Sequence, residues 1–167
     1  MDKLTPKQTS KGAEEIVLTQ IKQDFITPAN AIFDYVDMAE KALIDAQLES
    51  TDEIEQIKSS CSKLIDQYDV AFVQNTGVNA DSSKKSPEEY SELRHNLRTP
   101  LNAIIGYSEI LMEDYEDDLN EGTLEDFQQI INLARETETA IEKFVDFIRG
   151  ETVDIKDDNS SNQLQSA

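Results

Sequence analysis

The sequence predicts an all-α fold: two tandem helical hairpins packed as an intramolecular, pseudo-dimeric four-helix bundle. Glycine (5) and proline (4) are scarce among the 167 residues, and charged residues make up 30%. This composition favours helices over a sheet protein with many tight turns. Apolar residues recur at spacings of three and four, as an amphipathic helix requires. A stretch near the N-terminus also reappears, without gaps, in the second half of the chain.

The repeated stretches are residues 20–35 and 92–107, and each is followed by a polar break and a second amphipathic pattern. One hairpin alone would leave a large apolar face exposed, so we expect the two hairpins to pack together. A monomer should result, although two chains swapped across the linker would satisfy the same pattern. The aligned pairs include Thr27 with Thr99, Pro28 with Pro100, Asn30 with Asn102 and Tyr35 with Tyr107.

Local signals place the elements in order. An acidic first turn predicts helix starts at Ser50–Glu53 and at Thr123–Asp126, with Gly122 in the break before the second. Pro87 suits the first turn of the helix that follows the linker. The predicted segments are a flexible N-terminus (1–12), a first hairpin (13–74), a linker (75–87), a second hairpin (88–150) and a disordered tail (151–167).

Charge and cysteine content exclude several classes of function. A net charge of −20 argues against nucleic acid or an anionic membrane as partner, because both bind basic surfaces. The N-terminus does not resemble a signal peptide, and no apolar run approaches the roughly 20 residues that cross a bilayer. The single cysteine, Cys61, lies on an apolar helix face and predicts a buried, inert thiol in a reducing compartment. We therefore expect a cytoplasmic protein without membrane insertion.

The helix that contains the second repeat presents one histidine away from its apolar stripe. At about 100° per residue, His95 lies roughly 150° from the centre of that stripe and should face solvent, together with Thr99, Asn102 and Gly106. A neutral imidazole offers a nucleophilic nitrogen near neutral pH, and small neighbours allow a partner to approach. The stripe consists of Leu93, Leu97, Leu101, Ile104, Ser108, Leu111 and Tyr115.

Residues 91–111, Ser-Glu-Leu-Arg-His-Asn-Leu-Arg-Thr-Pro-Leu-Asn-Ala-Ile-Ile-Gly-Tyr-Ser-Glu-Ile-Leu, strongly resemble the phosphoacceptor motif of sensor histidine kinases. The resemblance implies that His95 is the phosphoacceptor and that the partners are a response-regulator receiver domain and a histidine kinase. Thr99 matches the residue that positions water in that family when a partner is dephosphorylated. No metal or cofactor is expected on this chain, because Mg²⁺ and ATP would belong to partner domains.

Three departures from the family pattern shape the predicted function. Gln23 stands where the first repeat would carry its histidine, and Asp34 replaces the counterpart of Gly106, so the first hairpin should be inactive. Asn96 follows the histidine where the family has Glu or Asp; it accepts a hydrogen bond but cannot take a proton. No ATP-binding domain follows residue 150, so we do not expect a self-sufficient kinase.

Two further features surround the histidine. Pro100 lacks an amide hydrogen and clashes with the carbonyl of Asn96, which predicts a kink beside His95 and an equivalent bend at Pro28. Arg94 and Arg98 flank the histidine in an acidic chain. They either contribute to partner docking by screening a phosphoryl group, or pair with Glu92 or nearby Asp carboxylates.

The sequence therefore favours a phosphorelay module in which His95 passes a phosphoryl group to or from a receiver aspartate; a receiver-phosphatase activity is also compatible. A non-catalytic docking or regulatory scaffold is the alternative that Asn96 favours. A histidine kinase core separated from its ATPase by truncation is a third hypothesis.

Overall fold

The computed structural model of the chain describes residues 6–48, 51–76 and 85–150. These residues form four helices and contain no strand. Helices α1 and α3 each pack against both α2 and α4, so every helix contacts two others. The predicted all-α, four-helix architecture is confirmed. The helices are α1 (Pro6–Asp45), α2 (Thr51–Asn75), α3 (Pro87–Asp114) and α4 (Glu121–Ile148).

Helix α3 begins where the sequence predicts it. Pro87 is the first helical residue and Ser86 is the N-cap. The Ser86 Oγ accepts from the amide of Glu89 at 3.2 Å, and the Ser86 amide donates to Glu89 Oε1 at 2.7 Å. This capping box satisfies two amides that the first turn would otherwise leave without partners.

Helix α4 begins earlier than predicted. The expected start at Thr123 is wrong, because Asn120 is the N-cap and its Oδ1 accepts from the Thr123 amide at 2.8 Å. Gly122 therefore lies within the first turn of α4 and not in the break. Asparagine is among the preferred N-cap residues, and it precedes Thr123 in the chain, so the helix starts at the earlier of the two signals.

The N-terminus also differs from the prediction. Residues 6–12 belong to α1, whereas the sequence predicts flexibility through residue 12. Pro6 is compatible with a first helical turn, and each residue added to an existing helix gains a hydrogen bond without a new nucleation cost. Residues 1–5, most of the predicted linker (77–84) and the predicted disordered tail (151–167) lie outside the described residues.

Burial repeats along the chain in the same order as the sequence repeat. Buried positions of α1 align with buried positions of α3 at a constant spacing, and those of α2 align with those of α4 at a spacing one residue longer. The pairs in the first set are Phe25/Leu97, Pro28/Pro100, Ala29/Leu101, Ile32/Ile104, Val36/Ser108 and Ala39/Leu111. The pairs in the second set are Ile54/Phe127, Ile57/Ile130, Cys61/Ala134, Leu64/Thr137, Tyr68/Ile141 and Ala71/Phe144.

The core is not symmetric in side-chain size. Phe25 and Tyr68 stack with centroids 3.6 Å apart, and Phe144 approaches Tyr68 at 4.9 Å and Phe72 at 5.8 Å. The Tyr68 hydroxyl is buried without a hydrogen-bond partner, and this burial raises its pKa. The four rings connect α1, α2 and α4, so aromatic packing holds the first hairpin against the last helix.

Cys61 is buried, as predicted, and its thiol lies 3.5 Å from the carbonyl of Ala29. Burial raises its pKa from 9.0 to about 12. Above pH 9 the unfolded chain loses the thiol proton while the folded chain keeps it, so the free energy of unfolding falls as pH rises through this window. We expect Cys61 to contribute a loss of about 1.4 kcal/mol between pH 8 and pH 10.

Urea unfolding of the reduced protein, measured at pH 8, 9 and 10 in parallel with a Cys61→Ala variant, isolates this contribution. Alanine suits the site because Ala134 occupies the aligned position. The pH-dependent loss should be smaller in the variant by the amount stated above. Equal slopes in the two proteins would show that Cys61 titrates alike in the folded and unfolded states.

Candidate functional site

The outward face of α3 carries the residues predicted to be functional. His95, Thr99 and Asn102 are exposed and Gly106 is half-buried. The opposite face is buried, because Leu97, Leu101, Ile104, Ser108 and Leu111 all pack inward. The prediction that His95 faces solvent is confirmed. Its imidazole is open to a partner protein, which an attacking or accepting nitrogen requires.

Thr99 and Pro100 shape the backbone beside His95. The Thr99 hydroxyl donates to the carbonyl oxygen of His95 at 2.9 Å. Pro100 has no amide hydrogen, so it cannot donate to the carbonyl of Asn96 in the normal helical pattern. Helix α3 nevertheless continues through Pro100, which is buried, and α1 continues through the buried Pro28. The bends expected at the two prolines stay predictions.

Three ion pairs join α3 to α4 near the histidine. Arg94 Nε lies 2.8 Å from Glu142 Oε1. Arg98 donates to Glu138 Oε2 from Nε at 3.0 Å and from Nη2 at 2.6 Å. Glu142 Oε2 is buried without a hydrogen bond, and Arg98 Nε lies 3.7 Å away. The pairing expected with Glu92 or an Asp is therefore wrong, since glutamates of α4 are the partners.

The sequence contains the signal for this network. Glu138 and Glu142 are spaced by four residues, as are Arg94 and Arg98, so each pair lies on one helix face. The neighbouring helix has to be known before the two pairs can be matched. The aligned positions in the first hairpin are Lys22, Ile26, Ile65 and Asp69, so the four-residue charged network is specific to the second hairpin.

The Arg98–Glu138 pair should stabilise the hairpin only modestly. Both side chains are partly exposed, and water screens such pairs, so we expect a coupling free energy of about 0.5–1 kcal/mol. Urea unfolding of Arg98→Ala, Glu138→Ala and the double variant measures it as a double-mutant cycle. The Lys58–Glu40 pair joins α2 to α1 at 2.6 Å and involves no arginine. Its coupling free energy, measured in the same way, provides the comparison. A coupling near zero at low salt would contradict the expectation.

The remaining predicted residues separate into two sets. Asn96 is exposed and borders a groove between α3 and α2. Gln23 and Asp34 are exposed on α1, so the first hairpin presents an amide and a carboxylate where the second presents His95 and Gly106. Gln23 accepts a weak hydrogen bond from the Thr27 hydroxyl at 3.5 Å. Thr27 thus pairs with a side chain, whereas Thr99 pairs with the backbone.

The described residues contain neither a cluster of metal ligands nor a helix that could cross a membrane. No three His, Cys, Asp or Glu side chains among them cluster in a way that could hold a metal ion. None of the helices in the described part of the chain combines the length and the apolar character that a membrane span needs.

Comparison with known proteins identifies one family. Residues 88–152 match the family described as the His Kinase A (phospho-acceptor) domain. The match covers nearly all of α3 and all of α4, including His95. Comparisons with curated proteins and with solved structures gave no significant match. The family match supports a role in two-component, histidine kinase-like signalling.

Proposed function

We propose that this chain is a histidine phosphotransfer module that exchanges a phosphoryl group with the aspartate of a response-regulator receiver domain through His95. The observation that carries the proposal is the exposed imidazole of His95 on the outer face of α3, within the span that matches the phosphoacceptor family. An exposed ring can reach an aspartyl phosphate held in a partner, which a buried ring cannot.

The transfer requires little chemistry from this chain. A neutral imidazole nitrogen of His95, Nε2 or Nδ1, attacks phosphorus; the P–O bond to the receiver aspartate breaks, and the aspartate leaves as a carboxylate. Mg²⁺ bound to the receiver domain would neutralise charge on the phosphoryl oxygens. Asn96 can accept a hydrogen bond but cannot act as a base. Sensor histidine kinases have a carboxylate at this position for phosphorylation by ATP. Asn96 therefore supports exchange with a receiver domain over phosphorylation by ATP.

The first hairpin, in this proposal, is a degenerate copy that completes a pseudo-dimer within one chain. The matching burial of α1 with α3 and of α2 with α4 supports it. So does the packing of α1 and α3, since each of them contacts both α2 and α4. Gln23 has no nucleophilic nitrogen, so only one of the two outer faces can carry phosphate. Light scattering should give the mass of one chain, 18.8 kDa.

Arg94 and Arg98 have a supporting role in the proposal. Their guanidinium groups lie on the α4 side of the histidine and are held by Glu138 and Glu142. The two arginines balance the charge of the two glutamates, so this part of the acidic surface repels a phosphorylated partner less than it would without them. The docking roles of Arg94, Arg98, Asn102 and Gly106 remain predictions.

The test is phosphoryl transfer from a receiver. Purified receiver domains from the source organism are phosphorylated with ³²P-acetyl phosphate, freed of the small molecule and mixed with the chain. Label should move to the chain and be released by acid but not by alkali, as expected for a nitrogen–phosphorus bond. Absence of label with every receiver, or label that survives acid, would overturn the proposal.

Asn96 favours one second function, a docking scaffold that binds a receiver without transferring phosphate. That function predicts the same receiver affinity with His95 or glutamine at position 95 and no label in either protein. The two functions differ in transfer and not in binding, so the label decides between them.

A further inference from the structure

The second hairpin carries an ion pair that the first hairpin lacks. Arg98 of α3 donates to Glu138 of α4 from two nitrogens, Nε at 3.0 Å and Nη2 at 2.6 Å. The aligned positions of the first hairpin hold Ile26 and Ile65, which are half-buried and pack against the core. Stability alone does not require the ion pair, because apolar side chains fill the same positions in the other half and partly exposed pairs contribute little.

The neighbouring pair keeps its charges in both hairpins. Arg94 and Glu142 of the second hairpin align with Lys22 and Asp69 of the first. Of the two pairs, only that of Arg98 is confined to the half of the chain that also has a histidine. This difference connects the Arg98 pair with the phosphoacceptor and not with the packing that the two halves share.

Arg98 is the arginine of α3 that can reach a group bound to His95. Residues three apart on a helix are neighbours on its surface, so the side chains of His95 and Arg98 lie side by side. Arg94 directly precedes His95, and successive side chains on a helix point about 100° apart. The Arg98 side chain is also the more exposed of the two arginines, at 40% against 22%.

We propose that phosphorylation of His95 makes Arg98 exchange partners, from the carboxylate of Glu138 to the phosphoryl oxygens. A phosphoryl group carries a charge of about −1.5 to −2 and has three acceptor oxygens, so it attracts a guanidinium more strongly than a single carboxylate does. The exchange rests on the proposed function, because His95 has to carry the phosphoryl group. Glu138 is then a positioning residue, which holds Arg98 near His95 in the unmodified chain and competes for it afterwards.

The other contacts between α3 and α4 allow this exchange. The Glu138 side chain is 30% exposed, so water can hydrate its carboxylate once Arg98 has left. Glu142 has a buried Oε2 without a hydrogen bond, and Arg94 Nε lies 2.8 Å from its Oε1. The Arg94–Glu142 pair therefore keeps the two helices joined while Arg98 turns towards the phosphoryl group.

The test phosphorylates the whole chain without a receiver domain. With potassium phosphoramidate, a ring nitrogen of His95 attacks phosphorus, the P–N bond of the reagent breaks, and ammonia leaves with the proton that the ring loses. The chain has a single histidine, so the product is modified at one position. The Nε–Hε NMR signal of Arg98, assigned with an Arg98→Lys variant, should shift on phosphorylation, and that of Arg94 should not. An Arg98 signal that stays in place would overturn the proposal.

Glu138→Gln tests the competition for Arg98. It should raise the ratio of phosphorylated to unmodified chain about threefold, because Arg98 no longer has to leave a carboxylate. Intact mass spectrometry measures this ratio in a fixed mixture of phosphoramidate and ammonium. Glu136→Gln is the matched control, since it removes the same charge from α4 but Glu136 lines the groove between α4 and α1. Its ratio should stay within about 1.5-fold of the unmodified chain. Equal increases in the two variants would show an effect of net charge alone and overturn the role of Glu138.

The Arg98→Ile, Glu138→Ile double variant copies the first hairpin and leaves the net charge unchanged. Circular dichroism and urea unfolding should show an intact bundle, since isoleucines occupy the aligned positions. The ratio of phosphorylated to unmodified chain should fall about threefold or more, because the phosphoryl group loses its cation. A double variant that is phosphorylated as readily as the unmodified chain would show that the ion pair is purely structural and overturn the proposal.

The partner exchange and the phosphotransfer function fail separately. If the Arg98 signal moves in the chemically phosphorylated chain but no receiver supplies label, the phosphotransfer function is wrong and the exchange stands. If receivers supply label but the Arg98 signal stays in place, the phosphotransfer function stands and the exchange is wrong.

Discussion

The His95→Gln variant should accept no ³²P label from a phosphorylated receiver domain. The label on the variant should fall to background, whereas the label on the unmodified chain should be readily detected. Glutamine is close to histidine in size, and the position is exposed, so the bundle should fold unchanged. The amide nitrogen of glutamine has no available lone pair for attack on phosphorus, whereas a neutral imidazole has one. The chain has no other histidine that could take over.

A second variant tests whether the outer face or the imidazole alone decides transfer. The His95→Gln, Gln23→His double variant places the ring on the outer face of α1, where Asp34 stands at the position aligned with Gly106 and the groove that residue 23 lines also contains Glu15 and Lys22. It should remain unlabelled with the same receiver under the same conditions. Label on the single variant equal to that on the unmodified chain would rule out His95 as the phosphoacceptor.

Phe144→Ala should destabilise the bundle by about 3–5 kcal/mol, the usual range for removing a fully buried phenylalanine. Phe144 has no exposed surface, and its ring packs against Tyr68 and Phe72. The residue joins the last helix to the first hairpin, so the cavity left by alanine lies between the two halves of the chain. The midpoint of urea unfolding should fall with little change in its slope.

Phe147→Ala on the same helix is the control. Phe147 is only half-buried, so its loss removes less apolar contact and leaves an open surface rather than a cavity. It should cost clearly less than Phe144→Ala. Similar losses in the two variants would show that the aromatic cluster does not hold the hairpins together.

Much of the fold follows from the periodicity of the sequence. A helix turns about 100° per residue, so Leu97, Leu101 and Ile104 must share a face and His95 must lie away from it, whatever the helix packs against. The start of α3 was also predictable from the local sequence, because proline at position 87 favours the first turn of a helix. The start of α4 was predicted too late because the prediction followed the acidic turn at Thr123–Asp126 and not Asn120, although asparagine is the more favourable N-cap residue.

Only the tertiary structure decided which faces meet. Arg94 and Arg98 could pair with any nearby carboxylate until α4 was placed beside α3, where Glu138 and Glu142 lie opposite them. Asn96 and Asp24 likewise line grooves only because α2 lies beside α3 and α4 lies beside α1. Periodicity is a property of one helix, whereas ion pairs and grooves depend on distances between residues far apart in the chain, which are set by how four helices surround a common core.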